Sequence, residues 1–304
     1  MYSIFIIFIY ILIILILFLF FRYIIREIKF KYQDYLTKNT TILITGGSLG
    51  IGRELIHLFI SLFNCKIINI DIRSSEFTYL NTLYGNNIIN IKYNISKIDN
   101  IITFLEERGI NPDKIDIIIN NAGITNNLSL EELSLNNMIS TIEINLLSPM
   151  RIIKAFIDKT KNIKKNNKKI HFVTLCSVMS HIISANSSDY ISSKWGLFGF
   201  VESVRNEYLY SDKYIFTTIC PFAVNTGMFP NFFICMKTKW VANEILKSIV
   251  LKDKIKFIPD FINIPIYLYK LIPSFLSDIV QYYIINPFSK NIGRRIDNEQ
   301  LLLK

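Results

Sequence analysis

Three side chains in the second half of the chain have the types and the spacing that proton transfer to an oxygen atom requires. Tyr190 and Lys194 are four residues apart, and Ser177 precedes Tyr190 by thirteen residues. Residues i and i+4 share a helix face, so the Lys194 ammonium would lower the pKa of the Tyr190 phenol from its usual value of about 10. Tyr190 would then act as the general base in alcohol oxidation, with Ser177 holding the substrate oxygen beside it.

The predicted secondary structure brings these groups together. The apolar run at 171–177 predicts a strand that ends at Ser177, and the spacing at 189–210 predicts a helix that carries Tyr190 and Lys194. Ser180 and Ser184 are alternatives to Ser177, but neither stands at the end of a predicted strand. We therefore expect the catalytic serine at position 177.

A glycine-rich turn at 45–52 predicts a dinucleotide site. It lies between a predicted strand, 41–45, and a predicted helix, 50–63. The glycines permit a sharp exit from the strand, a close approach to a pyrophosphate and close packing of helix on sheet. The pyrophosphate would lie at the positive end of the helix. The residues predicted to contact the cofactor here are Gly46, Ser48, Leu49, Gly50, Ile51 and Gly52.

The next predicted strand ends in an acid, Asp71, which bears on the choice of cofactor. A carboxylate there accepts hydrogen bonds from the adenosine ribose hydroxyls and repels a 2′-phosphate, so NAD is expected rather than NADP. Arg73, two residues later, could instead bind that phosphate. Asn94 has two interpretations: a hydrogen bond to the adenine amino group, or a turn residue after the third strand.

The alternation of strands and helices predicts an α/β fold, a Rossmann-like doubly wound parallel sheet forming a single domain at 41–260. Near-continuous isoleucine runs are typical of parallel strands that are buried on both faces. A further long helical stretch is expected at 131–158. The remaining predicted strands are 65–71, 88–93, 115–120, 214–221 and 256–259.

The first 22 residues predict a membrane anchor. Residues 2–21 are almost wholly Ile, Leu, Phe and Tyr, and a helix of about 20 such residues spans about 30 Å of hydrocarbon. No charge precedes this stretch and no small-residue cleavage site follows it, which argues against a signal peptide. A basic connector follows at 23–40, so the positive-inside rule places the catalytic domain in the cytosol. We therefore expect an N-terminal transmembrane helix.

The last segment, 261–304, is a hydrophobic extension that prolines interrupt. The prolines argue against a second membrane span. Two interpretations stay open. The segment would lie in the membrane interface as an apolar entrance to the site, or it would extend the core of the domain.

Composition argues against several other classes of function. The formal net charge is +10, but the basic run at 161–169 has no aromatic residues among its lysines. It indicates a solvated loop or contact with an anionic membrane surface, and no nucleic-acid partner is expected. The cysteines and histidines show neither metal-ligand nor disulfide spacing, which predicts reduced thiols and no metal site.

Together these motifs resemble the short-chain dehydrogenase/reductase family, over about 40–260. Residues 45–52 match the family's T-G-x-x-x-G-x-G, 120–123 its N-N-A-G and 190–194 its Y-x-x-x-K. Residues 221–226 look like its P-G-x-V-x-T segment, with Phe222 in place of the glycine. The resemblance implies an enzyme that moves a hydride between NAD(P) and an alcohol or ketone.

The resemblance also implies roles for individual residues. Asn145 would join Ser177, Tyr190 and Lys194 in the catalytic set by holding a water that links Lys194 to solvent. Thr226 would bind the nicotinamide carboxamide. The other cofactor contacts that it implies are Asn121, Ala122, Gly123, Tyr190, Lys194, Pro221 and Val224.

Within the family, the apolar N-terminal segment and the run at 226–229 look most like the membrane-anchored retinol and 17β-hydroxysteroid dehydrogenase group. A retinoid, steroid or other lipid substrate is therefore expected, at the endoplasmic reticulum or a lipid droplet, and a homodimer is a further expectation. One alternative is an NADPH-dependent lipid ketone reductase of the 3-ketosphingoid type. Another is a non-catalytic lipid-droplet or membrane-surface protein that keeps the fold.

Overall fold

A computed structural model describes residues 2–31, 35–73, 87–161, 169–228 and 235–286. The chain divides into two units, Met1–Tyr35 and Leu36–Lys304. Parts of several predicted segments lie outside the described residues, namely 32–34 of the basic connector, 162–168 of the basic run, Phe229 of the run at 226–229, and 287–304 of the C-terminal extension.

The first unit contains helix α1 (Tyr2–Lys31). Its described side chains are Tyr10, Ile14, Leu17, Phe18 and residues 20–31. The range 20–31 contains five charged residues, at positions 22, 26, 27, 29 and 31. Within this described part of the chain, no helix is both long and apolar enough to span a bilayer. The predicted transmembrane helix at 2–21 is therefore not confirmed, and most of its side chains lie outside the described residues.

The second unit is an α/β domain built on a parallel sheet. The strands are β1 (Thr41–Thr45), β2 (Lys66–Asp71), β3 (Ile88–Lys92), β4 (Ile117–Asn120), β5 (Ile170–Leu175), β6 (Tyr214–Pro221) and β7 (Ile255–Ile258). The helices are α2 (Gly50–Phe63), α3 (Ile101–Glu106), α4 (Leu135–Ile142), α5 (Ser148–Thr160), α6 (Ser188–Glu207), α7 (Thr238–Leu251), α8 (Asn263–Leu271) and α9 (Ser274–Val280).

The described strands form a seven-stranded sheet in the order β3-β2-β1-β4-β5-β6-β7, and every paired strand is parallel. The chain moves outward from β1 to β3 and then returns to β4 on the other side of β1. Ligands of doubly wound sheets bind at this switch point, beyond the carboxyl ends of the strands. Thr45 and Asn120 are paired in register there. The predicted Rossmann-like sheet is confirmed.

Isoleucine burial explains why these segments form central strands. The β1 residues Ile42, Leu43 and Ile44 are fully buried, as are Ile118 and Ile119 of β4. Side chains of successive strand residues point to opposite faces, so both faces of the sheet must be covered by helices.

The predicted helix at 131–158 is interrupted. It consists of α4, a π-helical turn (Glu143–Leu147) and α5. Pro149 has no N–H to donate to the carbonyl of Asn145 one turn earlier, so the regular helical ladder cannot continue through this point. Ser148 instead donates its hydroxyl to the Glu143 carbonyl at 2.7 Å.

Helix α7 was absent from the predicted elements. Its buried residues Val241, Ile245, Leu246 and Ile249 have clear helical spacing, so the signal was present in the sequence. Helix α3 was also missed, because six residues are too few for periodicity to identify a helix.

Candidate active site

The glycine turn is held against the loop that follows β4. The Asn121 side chain donates to the carbonyls of Thr45 and Gly46, at 3.0 and 2.7 Å. The Thr45 hydroxyl accepts the backbone N–H groups of Asn121 and Ala122, at 3.2 and 3.1 Å. Two motifs about 75 residues apart in sequence are thereby joined at the switch point of the sheet.

Close packing explains the glycines of this turn. A Cβ at Gly52 would lie 2.4 Å from the carbonyl oxygen of Gly46, and one at Gly46 would lie 2.7 Å from Cα of Ala122. Gly50 has φ +57°, and its Cβ would come within 3.0 Å of the Thr226 methyl carbon. Helix α2 begins here without a side-chain cap at Leu49, as expected of a helix N-terminus that binds phosphate through its amides.

Asp71 lies at the carboxyl end of β2 and orders the backbone around it. One carboxylate oxygen accepts the Ser48 N–H at 2.9 Å, and the other accepts the Arg73 N–H at 3.0 Å. Each oxygen keeps a further lone pair for a ligand. Both Asp71 and Arg73 lie on the cavity wall described below.

A residue that the sequence analysis missed supports the same turn. The Asn69 side chain is buried and accepts the Gly47 N–H at 3.0 Å, while its amide group donates to Asn90 at 3.1 Å. A lone asparagine within the apolar run of β2 was the available signal.

Asn94 caps the short 3-10 turn that follows β3. Its side-chain oxygen accepts the backbone N–H and the hydroxyl of Ser96, at 3.0 and 2.9 Å. The structure therefore gives Asn94 the turn role that was one of its two interpretations. Its side-chain oxygen already has two donors, which leaves it poorly suited to accept from an adenine amino group.

Ser177 lies two residues after the end of β5 and caps a 3-10 turn. Its hydroxyl oxygen accepts the Met179 N–H at 3.1 Å, and its side chain hydrogen-bonds to Tyr190. The alternative serine, Ser180, is turned to the backbone of Ser177, whose N–H it accepts at 3.2 Å. Ser184 also lies on the cavity wall, and its hydroxyl donates to the Ala185 carbonyl at 3.4 Å.

Tyr190 and Lys194 are both buried on α6, at 4% exposure each. Lys194 donates from Nζ to the Leu175 carbonyl at 2.8 Å, and Nζ lies 5.8 Å from the centroid of the Tyr190 ring. Burial lowers the pKa of the Lys194 ammonium. The i, i+4 pair thus lies on one helix face beside the end of β5.

The expected depression of the Tyr190 pKa is wrong for this state of the protein. Burial raises the pKa of Tyr190 to about 12, and the hydrogen bond from Ser177 opposes that rise. Desolvation disfavours the phenolate more than the hydrogen bond favours it. The sequence shows the spacing of Tyr190 and Lys194 but not the depth at which they are buried.

Asn145 lies in the π-helical turn and is fully buried. Its side chain forms a reciprocal pair with the backbone of Ile124, accepting the N–H at 2.8 Å and donating to the carbonyl at 2.9 Å. It also donates to the Ser193 hydroxyl at 3.0 Å. The side chain therefore positions the loop after β4, and the water-holding role stays a prediction.

The end of β6 and the segment that follows it form another wall. Pro221, Val224 and Thr226 all lie on the cavity, as does Phe222. Phe222 is not among the described residues with positive φ, and its N–H donates to the Ile258 carbonyl at 2.8 Å. The departure from the family's glycine therefore causes no backbone strain.

These walls enclose a cavity of about 490 Å³, within the usual range for ligand pockets. Of the predicted site residues, Ser48, Gly52 and Asn145 lie behind its wall, and all the others line it. Beyond Ser177 and Tyr190 the wall is mostly apolar, with Thr125 and Ser184 as polar members. The apolar part consists of Ile124, Ile144, Val178, Met179, Ile182, Met228, Ile284 and Ile285.

The lining fits a dinucleotide. The turn presents the uncapped amides at the start of α2, the Thr226 methyl lies where a Gly50 side chain would stand, and Asp71 lies on the same wall. Residues Gly46–Ile51 would hold the pyrophosphate. Asp71 would hold the adenosine ribose, and Lys194 and Thr226 the nicotinamide end. A nicotinamide cofactor supplies hydride transfer.

Comparison with known proteins agrees with this geometry. The family model for short chain dehydrogenase matches residues 40–234. An uncharacterised oxidoreductase of Saccharomyces cerevisiae is 30% identical over 219 residues, which cover 70% of this chain and 68% of the relative. Human 17-beta-hydroxysteroid dehydrogenase 13 is 26% identical over 267 residues, covering 84% and 86%.

Solved structures share the fold. A short chain dehydrogenase/reductase from Burkholderia phymatum in complex with NAD superposes with a TM-score of 0.67, covering 78% of this chain and 94% of that one. The two sequences are 16% identical, so the similarity bears on the fold alone.

Proposed function

Since the chain belongs to the short-chain dehydrogenase family, we propose that it is an NAD-dependent enzyme that interconverts a hydrophobic alcohol and its ketone or aldehyde. One observation supports this most directly. The Ser177–Tyr190 hydrogen bond and the Lys194 ammonium stand on the wall of the same cavity as the glycine turn. Proton transfer and cofactor binding therefore share one site.

In the oxidative direction, the Ser177 hydroxyl holds the substrate hydroxyl beside Tyr190. The Tyr190 oxygen takes the proton from that hydroxyl, and in the reductive direction it returns a proton to the carbonyl oxygen. Lys194 stabilises the phenolate electrostatically from the same helix face. The apolar wall excludes water from the reacting groups.

The preference for NAD rests on Asp71. Its carboxylate is fixed by the N–H groups of Ser48 and Arg73, so it cannot swing away from a 2′-phosphate without breaking both hydrogen bonds. The carboxylate and a 2′-phosphate are both negatively charged, and they would repel each other at such a short distance. The ribose hydroxyls of NAD, by contrast, would donate to the remaining lone pairs.

The apolar end of the cavity supports a lipid-like substrate. Met179, Ile182 and Met228 line the same cavity as Tyr190, and Ile284 and Ile285 of the C-terminal extension also line it. A site with so few polar groups beyond the catalytic set binds its ligand chiefly by burying apolar surface. A retinoid, steroid or long-chain alcohol meets that requirement.

Attachment to a membrane is part of the proposal. Residues 2–21 have the composition of a bilayer-spanning helix, followed by basic residues that favour the cytosolic side. In the catalytic unit, Leu271, Phe275 and Tyr283 of the C-terminal helices are exposed by 79%, 65% and 71%. Resistance of the full chain to carbonate extraction from endoplasmic reticulum or lipid-droplet fractions tests this, and complete release would contradict it.

A second candidate is an NADPH-dependent lipid ketone reductase. Arg73 favours it, because this side chain lies on the cavity wall two residues from Asp71 and would carry the charge that a 2′-phosphate requires. Titration of the protein with NADH and with NADPH separates the two candidates. Tighter NADPH binding would favour the reductase.

The test of activity uses the purified full chain with retinoid, steroid and long-chain alcohols and ketones. Tyr190→Phe removes only the hydroxyl, and Tyr210→Phe is a matched control at a side chain that is 94% exposed. We expect Tyr190→Phe to lose about 10²–10⁴-fold in kcat and to keep cofactor binding. Equal activity of Tyr190→Phe and the wild type would remove the proposed mechanism.

A further inference from the structure

Asp189, immediately before Tyr190, is a buried carboxylate that the proposed reaction does not use. It is 2% exposed and lies in the first turn of α6. Its Oδ2 accepts two short hydrogen bonds, from the Asn126 amide at 2.6 Å and the Thr141 hydroxyl at 2.7 Å. A buried charge is costly unless strong hydrogen bonds compensate for its lost hydration, so this arrangement calls for a reason.

Asn126 is the residue that the carboxylate holds. Its amide group donates to Asp189 and also approaches the Thr141 hydroxyl at 3.0 Å and the Asn137 carbonyl at 3.4 Å. Asn126 belongs to the loop 123–127 after β4, which we call the β4 loop. One cluster therefore joins the β4 loop, helix α4 and the start of the helix that carries Tyr190.

The Thr141 hydroxyl has two hydrogen-bond acceptors within reach, and the Asp189 carboxylate is one of them. The hydroxyl has one hydrogen, and the two acceptors are the Asn137 carbonyl at 3.0 Å and Asp189 Oδ2 at 2.7 Å. The carboxylate is nearer and charged, so it is the stronger acceptor. The Thr141 hydroxyl thus links α4 to α6 while it stays within hydrogen-bond distance of its own helix backbone.

The other contacts of the β4 loop are with site residues. Asn145 holds Ile124 through two backbone hydrogen bonds, and Asn127 donates to the Met228 carbonyl at 3.1 Å. Gly123, Ile124 and Thr125 line the cavity. Asn145 also reaches Ser193 in the middle of α6, whereas the Asp189 cluster connects this wall to the first turn of that helix.

We propose that Asp189 is a positioning residue, whose carboxylate binds Asn126 and Thr141 and so holds the β4 loop at a set distance from Tyr190. The role rests on the proposed function, because it concerns the placement of the cavity wall relative to the general base. Small displacements of such a wall reduce turnover more than they reduce binding of the cofactor at the far end of the site.

Two matched substitutions test the cluster. Thr141→Val keeps the shape of the side chain and removes the hydroxyl, whereas Thr141→Ser keeps the hydroxyl. Asp189→Asn keeps the shape and removes the charge. Ser140→Ala is the control. Among the contacts of the described residues, the Ser140 hydroxyl forms a hydrogen bond only within α4, to the Asn136 carbonyl.

The first readout is amide hydrogen exchange of residues 123–127 in the full chain, which requires no substrate. We expect faster exchange in Asp189→Asn and Thr141→Val, and wild-type exchange in Thr141→Ser and Ser140→Ala. Unchanged exchange in both test variants would overturn the proposal, whatever the activity of the protein.

The second readout separates positioning from a purely structural role. With the substrate identified as above, we expect kcat to fall about tenfold in Asp189→Asn and Thr141→Val, since hydrogen bonds to charged groups are the strong ones. The Kd for NADH should stay within about twofold, and Thr141→Ser should restore kcat. A lower melting temperature with unchanged kcat would show that the cluster only stabilises the fold. If instead Tyr190→Phe kept full activity, the proposed function would fail while the exchange result stood.

Discussion

The Nζ of Lys194 donates a hydrogen bond to the carbonyl oxygen of Leu175, 2.8 Å away, and thereby ties helix α6 to the end of β5. Ser177 stands two residues beyond that carbonyl. The lysine therefore has a structural partner in addition to its place 5.8 Å from the Tyr190 ring. Its removal should disturb both proton transfer and the alignment of the strand end.

We expect Lys194→Met to reduce kcat by about 10²-fold or more, because it removes the charge that stabilises the phenolate and leaves a buried carbonyl unpaired. Lys256→Met is the matched control. Lys256 is another buried lysine, paired with Asp260 at 2.6 Å, away from the cavity wall. It should lower the melting temperature without changing kcat per folded molecule. Steady-state kinetics and thermal unfolding together check this, and similar effects on kcat from both changes would contradict it.

The pH dependence should follow the raised pKa of Tyr190, about 12. Oxidation needs the phenolate, so kcat/KM for oxidation should rise with pH beyond about pH 9, while reduction, which needs the phenol, should be nearly flat from about pH 6 to 9. The Ser177 hydrogen bond lowers this pKa, so Ser177→Ala should move the oxidation profile to still higher pH. A profile that Ser177→Ala leaves in place would refute the assignment of the titrating group.

Asp71→Asn should change cofactor preference. The substitution removes the negative charge that would face a 2′-phosphate. It also replaces one of the two carboxylate oxygens that accept the backbone N–H groups of Ser48 and Arg73. We expect the ratio of NADPH to NADH affinity to rise by about tenfold. Protein fluorescence quenching measures both Kd values, and exposed Asp99→Asn is the control. No change in the ratio would mean that Asp71 does not face the ribose.

Gly50→Ala should weaken cofactor binding because the added methyl group would be crowded. Gly109→Ala is the control, since a methyl group at that position would meet no neighbouring atom. Gly50 has φ +57° and its Cβ would lie 3.0 Å from the Thr226 methyl carbon, whereas Gly109 has φ +69° and open space around it. Both alanines cost about 1 kcal/mol of stability from the left-handed backbone. Only Gly50→Ala should raise the Kd for NADH, as measured by titration. An equal effect from Gly109→Ala would mean that global destabilisation is the cause.

Acid should destabilise the fold through its buried histidines. Burial lowers the pKa of His171 to about 3, while the unfolded chain binds a proton near 6.5. Stability is therefore present above about pH 6.5 and falls as the pH drops toward 3, by a few kcal/mol in order of magnitude. His171→Gln should flatten the melting temperature between about pH 7 and 4.5. A slope as steep as that of the wild type would assign the acid sensitivity elsewhere.

Much of this protein could be predicted from local sequence patterns. Isoleucine runs predicted the parallel strands, and the spacing of Gly46, Gly50 and Gly52 predicted the turn before α2. The four-residue interval between Tyr190 and Lys194 predicted that the two side chains lie on the same face of a helix. These features depend on residues close together in sequence, where the periodicities of helix and strand leave few alternatives.

Other features depend on residues that only folding brings together. The bond between Asp189 and Asn126 joins residues 63 positions apart, and the Ile124–Asn145 pair spans 21. Asparagine is abundant throughout the chain, so its composition gave no sign of which asparagines would be buried and bound. The same holds for Ile284 and Ile285, whose place on the cavity wall depends on where the C-terminal helices pack.

The sequence by itself determined the Rossmann-like sheet, and it predicted the cofactor turn and the proton-transfer residues, because each of these follows from short-range spacing. The tertiary structure decided the direction in which the pKa of Tyr190 moves and the hydrogen-bond partners of the Asn145 side chain. It also decided which residues form the apolar wall. Each of these depends on burial and on partners from distant segments, and desolvation of Tyr190 outweighs its hydrogen bond with Ser177 only once the layers of the domain are packed.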